Sequence, residues 1–137
     1  DEAWMSSANI SKADLSGASL VHTLLTSVNL QCAILYGATL NATDFWGANM
    51  QSCDLRDAYI ERVSFARADL RGAYLQGAEL GPNRYYDPDN VYQEEDATIL
   101  PDGEVWEPRT DMGRYTNRQK PNFWIPPLDD SCTNHKD

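Results

Sequence analysis

The side chains that could do chemistry are few and widely separated in this chain of 137 residues. His22 and His135 are its only histidines, and neither has another metal ligand at a useful spacing. The sequence contains no GxSxG turn, no phosphate-binding glycine loop and no cysteine paired with an evident base. We therefore expect no catalytic site, no cofactor and no metal, and predict that the protein is not an enzyme.

The acidic run DPDNVYQEED comes closest to a cation site. Asp87 and Asp89 stand two residues apart, as ligands do in a calcium-binding loop. An EF-hand loop needs glycine at its sixth position, but Tyr92 occurs there, after Val91 at the fifth. We interpret the run as a solvated acidic loop, with adventitious divalent-cation binding as the alternative.

A five-residue repeat must position these side chains. Fifteen consecutive units, beginning ANISK, ADLSG and ASLVH, run from Ala8 to Pro82 without insertion or deletion. Each has a large apolar residue at its centre and a small residue, usually alanine, two places before it. A period of five fits neither a helix nor a plain strand, so the chain must turn a corner once per unit. The centres are Ile10, Leu15, Leu20, Leu25, Leu30, Leu35, Leu40, Phe45, Met50, Leu55, Ile60, Phe65, Leu70, Leu75 and Leu80.

Residues 20 apart also resemble one another, which indicates four units per coil. We expect stacked side-chain amides to hydrogen-bond along the axis. We expect glycines at the corners because glycine tolerates backbone angles closed to other residues. Three columns show the period: Thr23 with Leu25, Thr43 with Phe45 and Val63 with Phe65; then Asn9, Asn29, Asn49 and Asp69; then Gly17, Gly37 and Gly77, interrupted by Asp57.

The pattern resembles the A(D/N)LXX motif of the pentapeptide repeat family over Ala8 to Pro82. The resemblance implies an all-β fold, a right-handed quadrilateral β-helix of about four coils. The centre and the small residue two before it would face inward, and the other three residues would face water. We assign residues 1–7 to an N-terminal lead-in, 8–82 to the solenoid, and 83–137 to an irregular acidic extension rich in proline and aromatic residues.

The three cysteines have no C-x-x-C spacing. Cys53 occupies an inward small position and is expected to be a core residue. Cys32 takes an outward position out of line with Cys53, so a disulfide between these two is not expected. Cys132 lies in a polar tail, where we favour a free thiol over an intermolecular bond or a thiol attachment.

The formal net charge of −10 argues against nucleic-acid binding through phosphates. Residues 83–137 hold twelve acidic and six basic residues, whereas the solenoid mixes seven acidic residues with five basic ones. The family resemblance allows an alternative function, a DNA-mimicking inhibitor or protector of DNA gyrase. That function needs acidic faces along a long rod, and just under four coils at ~4.8 Å each give a rod of only about 18 Å.

The extension predicts a short hairpin over 98–106, because β-prone residues flank Pro101, Asp102 and Gly103. Its stretch from Ala97 to Trp124 is similar to a C-terminal extension of some bacterial pentapeptide repeat proteins. The extension is rich in aromatic rings, unlike a disordered tail. The rings therefore predict one of two uses, capping of the last coil or contact with a partner.

Without a chemical site, the sequence favours a non-enzymatic scaffold or protein-interaction module, an accessory subunit of a larger, photosynthetic or membrane-associated complex. No apolar run approaches the ~20 residues that span a bilayer, so membrane association would come only through that complex. The family resemblance places the protein beside a photosynthetic membrane, on the lumenal or periplasmic side if the chain is processed, with the cytoplasm as the alternative. The candidate partner contacts are Ile34, Tyr36, Trp46, Tyr59, Tyr74, Trp106, Arg109, Arg114, Tyr115, Phe123 and Trp124.

Overall fold

The predicted four-sided, right-handed β-solenoid is the architecture of the computed structural model, which describes residues 5–85, 96–127 and 132. Parallel bridges join residues 20 apart, beginning with Asn9 and Asn29. Two of these contacts lengthen into strands, β1 (Tyr59–Ile60) and β2 (Glu79–Leu80), which pair in parallel. The described residues contain one α-helix, α1 (Gly113–Thr116), which is far too short to cross a membrane.

Backbone hydrogen bonds between successive coils hold the stack together. The N–H of Ile10 donates to the carbonyl of Asn29 at 2.9 Å, and the N–H of Asn29 donates to Ala8 at 2.9 Å. The same pair recurs on each side of the square, so most backbone groups in the interior coils are satisfied. In the first coil the centres Ile10, Leu15 and Leu20 are only partly buried.

Every corner depends on one residue in the left-handed region. All fifteen residues at five-residue steps from Ser7 to Gly77 have φ between 56° and 75°. This is the conformation that a type II turn requires at its third residue. The predicted corner glycines Gly17, Gly37 and Gly77 belong to this set, and so does Asp57. Ten of the fifteen are not glycine, so the stacking hydrogen bonds offset backbone strain at most corners.

The predicted inward register is confirmed by burial. From Thr23 to Leu75 every centre and every small residue two before it is buried. The Phe45 and Phe65 rings stack with centroids 5.8 Å apart, which makes their column the widest part of the core. The predicted column of Asn9, Asn29 and Asn49 also stacks. Its side-chain oxygens accept the N–H two residues along the chain, as in Asx turns, in place of the expected bonds along the axis.

Stacking continues beyond Pro82 in two units that lack the alanine signature. Residues 83–87 read NRYYD, and Tyr85 stacks on Phe65 with ring centroids 5.8 Å apart. Residues 98–102 read TILPD, where Ile99 pairs with Asp69 and Leu100 is buried. The second unit stands 30 residues after its partner instead of 20, so ten additional residues separate it from the first. The irregular extension therefore begins with two more sides of the square, which is half a coil.

The rest of the extension closes this end of the solenoid. Residues 98–106 form an antiparallel hairpin in which the backbone N–H of Trp106 donates to the backbone carbonyl of Thr98 at 2.9 Å. The Trp106 ring stacks on Tyr85, with centroids 5.4 Å apart, and ends the aromatic column. Helix α1 contributes the buried Tyr115, whose ring meets Trp124 edge to face. Capping, one of the two predicted uses of these rings, is what the described residues show.

Cys32 and Cys132, which are 100 positions apart in sequence, form a disulfide with Cα atoms 5.3 Å apart. The expectation of a free thiol at Cys132 was wrong. Repeat spacing compared Cys32 only with Cys53 inside the stack, whereas its partner comes from the other end of the chain. Cys53 is a core residue as predicted: it is fully buried, and its Sγ lies 2.8 Å from the Leu30 carbonyl.

Candidate interaction surface

Three large aromatic side chains remain exposed on the outside of the coils. Tyr36, Trp46 and Tyr59 are 42%, 38% and 40% exposed. Each takes an outward position of its repeat unit, where the solenoid core does not need it. All three were predicted partner contacts, and they lie on three different faces of the square.

Tyr36 lies on a face that also contains a buried ion pair. Asp54 is fully buried and accepts two hydrogen bonds from the Arg56 guanidinium, at 2.8 and 2.6 Å. That guanidinium lies 5.7 Å from the centre of the Tyr36 ring and 6.0 Å from that of Tyr74. A hydrogen bond to Asp57 raises the pKa of Tyr36. The aromatic rings of this face are thus held in place by charged neighbours.

Tyr59 lies on the next face, in strand β1. Its hydroxyl donates to the Glu61 carboxylate at 2.6 Å, and this bond raises the pKa of Tyr59. The ring therefore stays neutral at physiological pH and presents its apolar side to solvent.

Trp46 lies on the third face beside arginines. The Arg67 guanidinium lies 5.3 Å from the Trp46 ring centre. Arg67 is fixed in turn by an ion pair with Asp96, the last residue of the acidic run and the only one of that run among the described residues. An exposed tryptophan held by arginine is the composition that anchors many protein interfaces.

The other predicted contacts mainly stabilise the molecule itself. Ile34 and Tyr115 are buried, so they pack within the protein. Tyr74 and Phe123 are half-buried, and Trp106 and Trp124 pack against the core. Arg109 is exposed.

Arg114 joins the cap by an ion pair to Asp102 at 3.1 Å. Burial and the neighbouring Asp102 carboxylate raise the pKa of Tyr115. Both residues thus tie helix α1 to the hairpin, and neither is free to meet a partner.

No cluster of three or more His, Cys, Asp or Glu side chains that could hold a metal lies within residues 5–85, 96–127 and 132. His22 is an exposed corner residue, and His135 lies outside the described residues. The cap contains a cavity of about 810 Å³ lined by Asp102, Glu104, Glu107, Asp111 and Arg114 among others, together with Thr110 and Tyr115.

Three arginines on the side of Trp46 were not predicted as contacts: Arg62, Arg67 and Arg84. Arg62 and Arg67 end consecutive repeat units, and Arg84 takes the outward position one coil above Ser64. The 20-residue register puts Ala66 one coil above Trp46, so it would have placed Arg67 beside that ring. Sequence reasoning counted Arg62 and Arg67 only in the charge balance, and sought contacts on the solenoid only among its large apolar and aromatic residues.

Comparison with known proteins agrees with the fold. A family model described as pentapeptide repeats (8 copies) matches residues 8–47 and 48–81. One similar solved structure is HetL, a pentapeptide repeat protein involved in heterocyst differentiation regulation from the cyanobacterium Nostoc sp. strain PCC 7120. It is 30% identical, and the match covers 75% of this chain and 43% of HetL with a TM-score of 0.66. Rfr23, from the cyanobacterium Cyanothece 51142, is 29% identical, with a TM-score of 0.59 over 66% of this chain and 60% of its own.

A third solved structure, AT2G44920 from the Arabidopsis thaliana thylakoid lumen, is 24% identical and shares the fold. Its TM-score is 0.57, over 61% of this chain and 60% of its own. This chain thus spans less than two thirds of the length of each of these structures. A search of curated proteins gave no match.

Proposed function

Because this chain belongs to the pentapeptide repeat family, we propose that it is a non-enzymatic scaffold, an accessory subunit that binds another protein through the faces of its solenoid. One observation carries the proposal: Tyr36, Trp46 and Tyr59 stay exposed although the extension uses its own rings to cap the last coil. The core needs none of these three side chains, and tyrosine and tryptophan are among the residues that most often anchor a protein interface.

The disulfide supports a location in an oxidising compartment. Disulfides persist in oxidising compartments and are rare in a reducing cytosol. The bond between Cys32 and Cys132 therefore favours the periplasmic or lumenal side of a membrane. We retain a photosynthetic or membrane-associated complex, which the family resemblance implies, as the assembly in which the subunit works.

The proposal is tested by purifying the tagged protein from its native source and identifying co-purifying chains by mass spectrometry. We expect a defined partner chain in stoichiometric amount. The Trp46→Ala variant should lose that chain while keeping its melting temperature. The matched Trp106→Ala variant should melt at a lower temperature, because Trp106 ends the core column.

A protein that elutes alone as a monomer from native extracts would contradict the scaffold function. Gyrase supercoiling should be unaffected at micromolar protein, because the described faces mix Arg56, Arg62 and Arg71 with carboxylates and so do not imitate DNA. Inhibition of supercoiling would favour the DNA-mimic function instead.

A further inference from the structure

One face of the solenoid combines a cleft with incompletely neutralised arginines. We call it the arginine face and define it by Trp46, Arg62, Ser64, Arg67 and Arg84. Parallel bridges place Asp44, Ser64 and Arg84 in one column on three successive coils. The neighbouring coils of such a stack lie ~4.8 Å apart, so the whole face is within reach of one short peptide segment.

The polar side chains at the base of the cleft, Asn83 and Asp44, form hydrogen bonds within the protein. The cleft has a volume of about 510 Å³ between the outward column and the corner at Arg62. Asn83 fixes this corner, since its side chain accepts the Val63 N–H at 2.9 Å and donates to the Ile60 carbonyl at 3.1 Å. Among the described residues, Asp44 is the one carboxylate that lines the cleft, and it accepts the backbone N–H of Trp46 at 2.9 Å.

The arginines that line the cleft differ from the others of the solenoid. Arg56, Arg67 and Arg71 each form a close ion pair with a carboxylate. The side chain of Arg62 is 68% exposed and only approaches Glu61, at 4.0 Å, while the other oxygen of that carboxylate is bound by a tyrosine. Arg84 is exposed and has no ion pair among the described residues. The net charge of −10 already favours solubility, so solubility does not explain why two exposed guanidinium groups without close ion pairs to described residues lie at one cleft.

Their chemistry selects the ligand. Guanidinium groups bind carboxylates in planar, two-point geometry, and an exposed indole adds an apolar contact beside them. We propose that the arginine face binds an acidic segment of the partner protein, with two carboxylates at Arg62 and Arg84 and an apolar side chain on Trp46. This inference rests on the proposed scaffold function and specifies its binding face. Phosphates of nucleic acid have the same chemistry toward arginine, so the assay below includes an oligonucleotide as the competing ligand.

A binding assay with a defined probe tests the face directly. The probe is a fluorescein-labelled peptide, Gly-Glu-Glu-Glu-Leu-Gly, and the control is the same peptide with glutamine in place of glutamate. We expect the acidic peptide to bind measurably at low salt, and the Arg62→Gln, Arg84→Gln double variant to weaken binding at least tenfold. The Lys12→Gln, Arg118→Gln double variant makes the same charge change at exposed sites away from this face and should bind like the unaltered protein.

Each outcome decides the proposal. Absence of binding up to millimolar peptide, equal binding of the glutamine peptide, or equal loss in both double variants would overturn it. Tighter binding of a labelled single-stranded oligonucleotide, lost with Arg62 and Arg84, would assign the face to nucleic acid and also overturn it. Melting temperatures of both double variants should match the unaltered protein, since all four side chains are exposed.

The purification from native source separates this inference from the scaffold function. If the unaltered protein recovers a partner and the Arg62, Arg84 double variant recovers it equally well, the binding face is wrong and the scaffold function stands. If the unaltered protein recovers no partner, the scaffold function fails as well.

Discussion

Removal of the Cys32–Cys132 disulfide should lower stability by an amount that the loop length sets. The bond joins residues 100 apart, so it restrains nearly the whole unfolded chain. The chain-entropy model gives ~4.7 kcal/mol for such a loop, and native disulfides typically contribute about 2 to 5 kcal/mol. For 137 residues, a loss of about 2 to 5 kcal/mol corresponds to a fall in melting temperature of roughly 7 to 17 °C.

Two measurements check the prediction. Thermal unfolding is followed by circular dichroism with and without a dithiol reductant, for the unaltered protein and for Cys32→Ala, Cys132→Ala and the double variant. The two single variants and the double variant should lose about the same stability, because any of them removes the whole cross-link. All three should be insensitive to the reductant.

Thiol counting gives the independent measurement. Cys53 is buried, and burial raises the pKa of its thiol, so the native protein should not react with a thiol reagent. The unfolded protein should label once without reductant and three times with it. A Cys53→Ala control should melt at a lower temperature yet keep the response to reductant. Three reactive thiols in the unfolded, unreduced protein, or additive losses in the double variant, would refute the cross-link.

Three further predictions concern the core, the corners and the cap. Phe65→Ala should cost about 3 to 5 kcal/mol of unfolding free energy by denaturant titration, whereas the outward Gln51→Lys should stay within about 0.5 kcal/mol; equal effects would contradict the register. Gly77→Ala should lower the melting temperature more than Gly37→Ala. Both changes add ~1 to 2 kcal/mol of left-handed backbone strain, but a Cβ at Gly77 also collides with the Asp57 carboxylate, whereas one at Gly37 meets nothing. Equal melting temperatures would contradict the packing at this corner. Folding raises the pKa of the Tyr115 hydroxyl. The contribution of Tyr115 to stability is therefore fully present below the pKa of an unfolded tyrosine, ~10, and is lost as the pH rises from there toward the folded pKa. Tyr115→Phe should flatten the fall in melting temperature between pH 9 and 11, and an unchanged slope would contradict this.

The repeat was predictable from sequence because its signal is local and frequent. One apolar centre per five residues fixes which side chains face inward, and Leu35, Phe45 and Cys53 are buried as that rule requires. The corner conformation follows from the same period. Nothing beyond neighbouring residues and the 20-residue repeat was needed to derive either.

The missed features depend on contacts that the period cannot encode. The NRYYD and TILPD units lack the small inward alanine, and ten intervening residues shift the second out of phase. Asn83 replaces a corner backbone bond with its side chain, which no spacing rule anticipates. The disulfide joins Cys32 to a residue far along the chain, so only the folded path could reveal it.

The division between inward and outward residues explains why this fold suits a scaffold. Inward side chains and coil-to-coil backbone bonds provide the stability, and neither depends on which residues face water. Outward positions can therefore change almost freely, and an outward residue that is costly in water needs a reason of its own. Trp46 is such a residue. Arg67 lies 5.3 Å from its ring, and the cleft at Arg84 opens on the same side of the square, so the two form a combined apolar and cationic surface that the stack beneath holds rigid. Because the stack forms without these side chains, their substitution should change binding and leave folding intact.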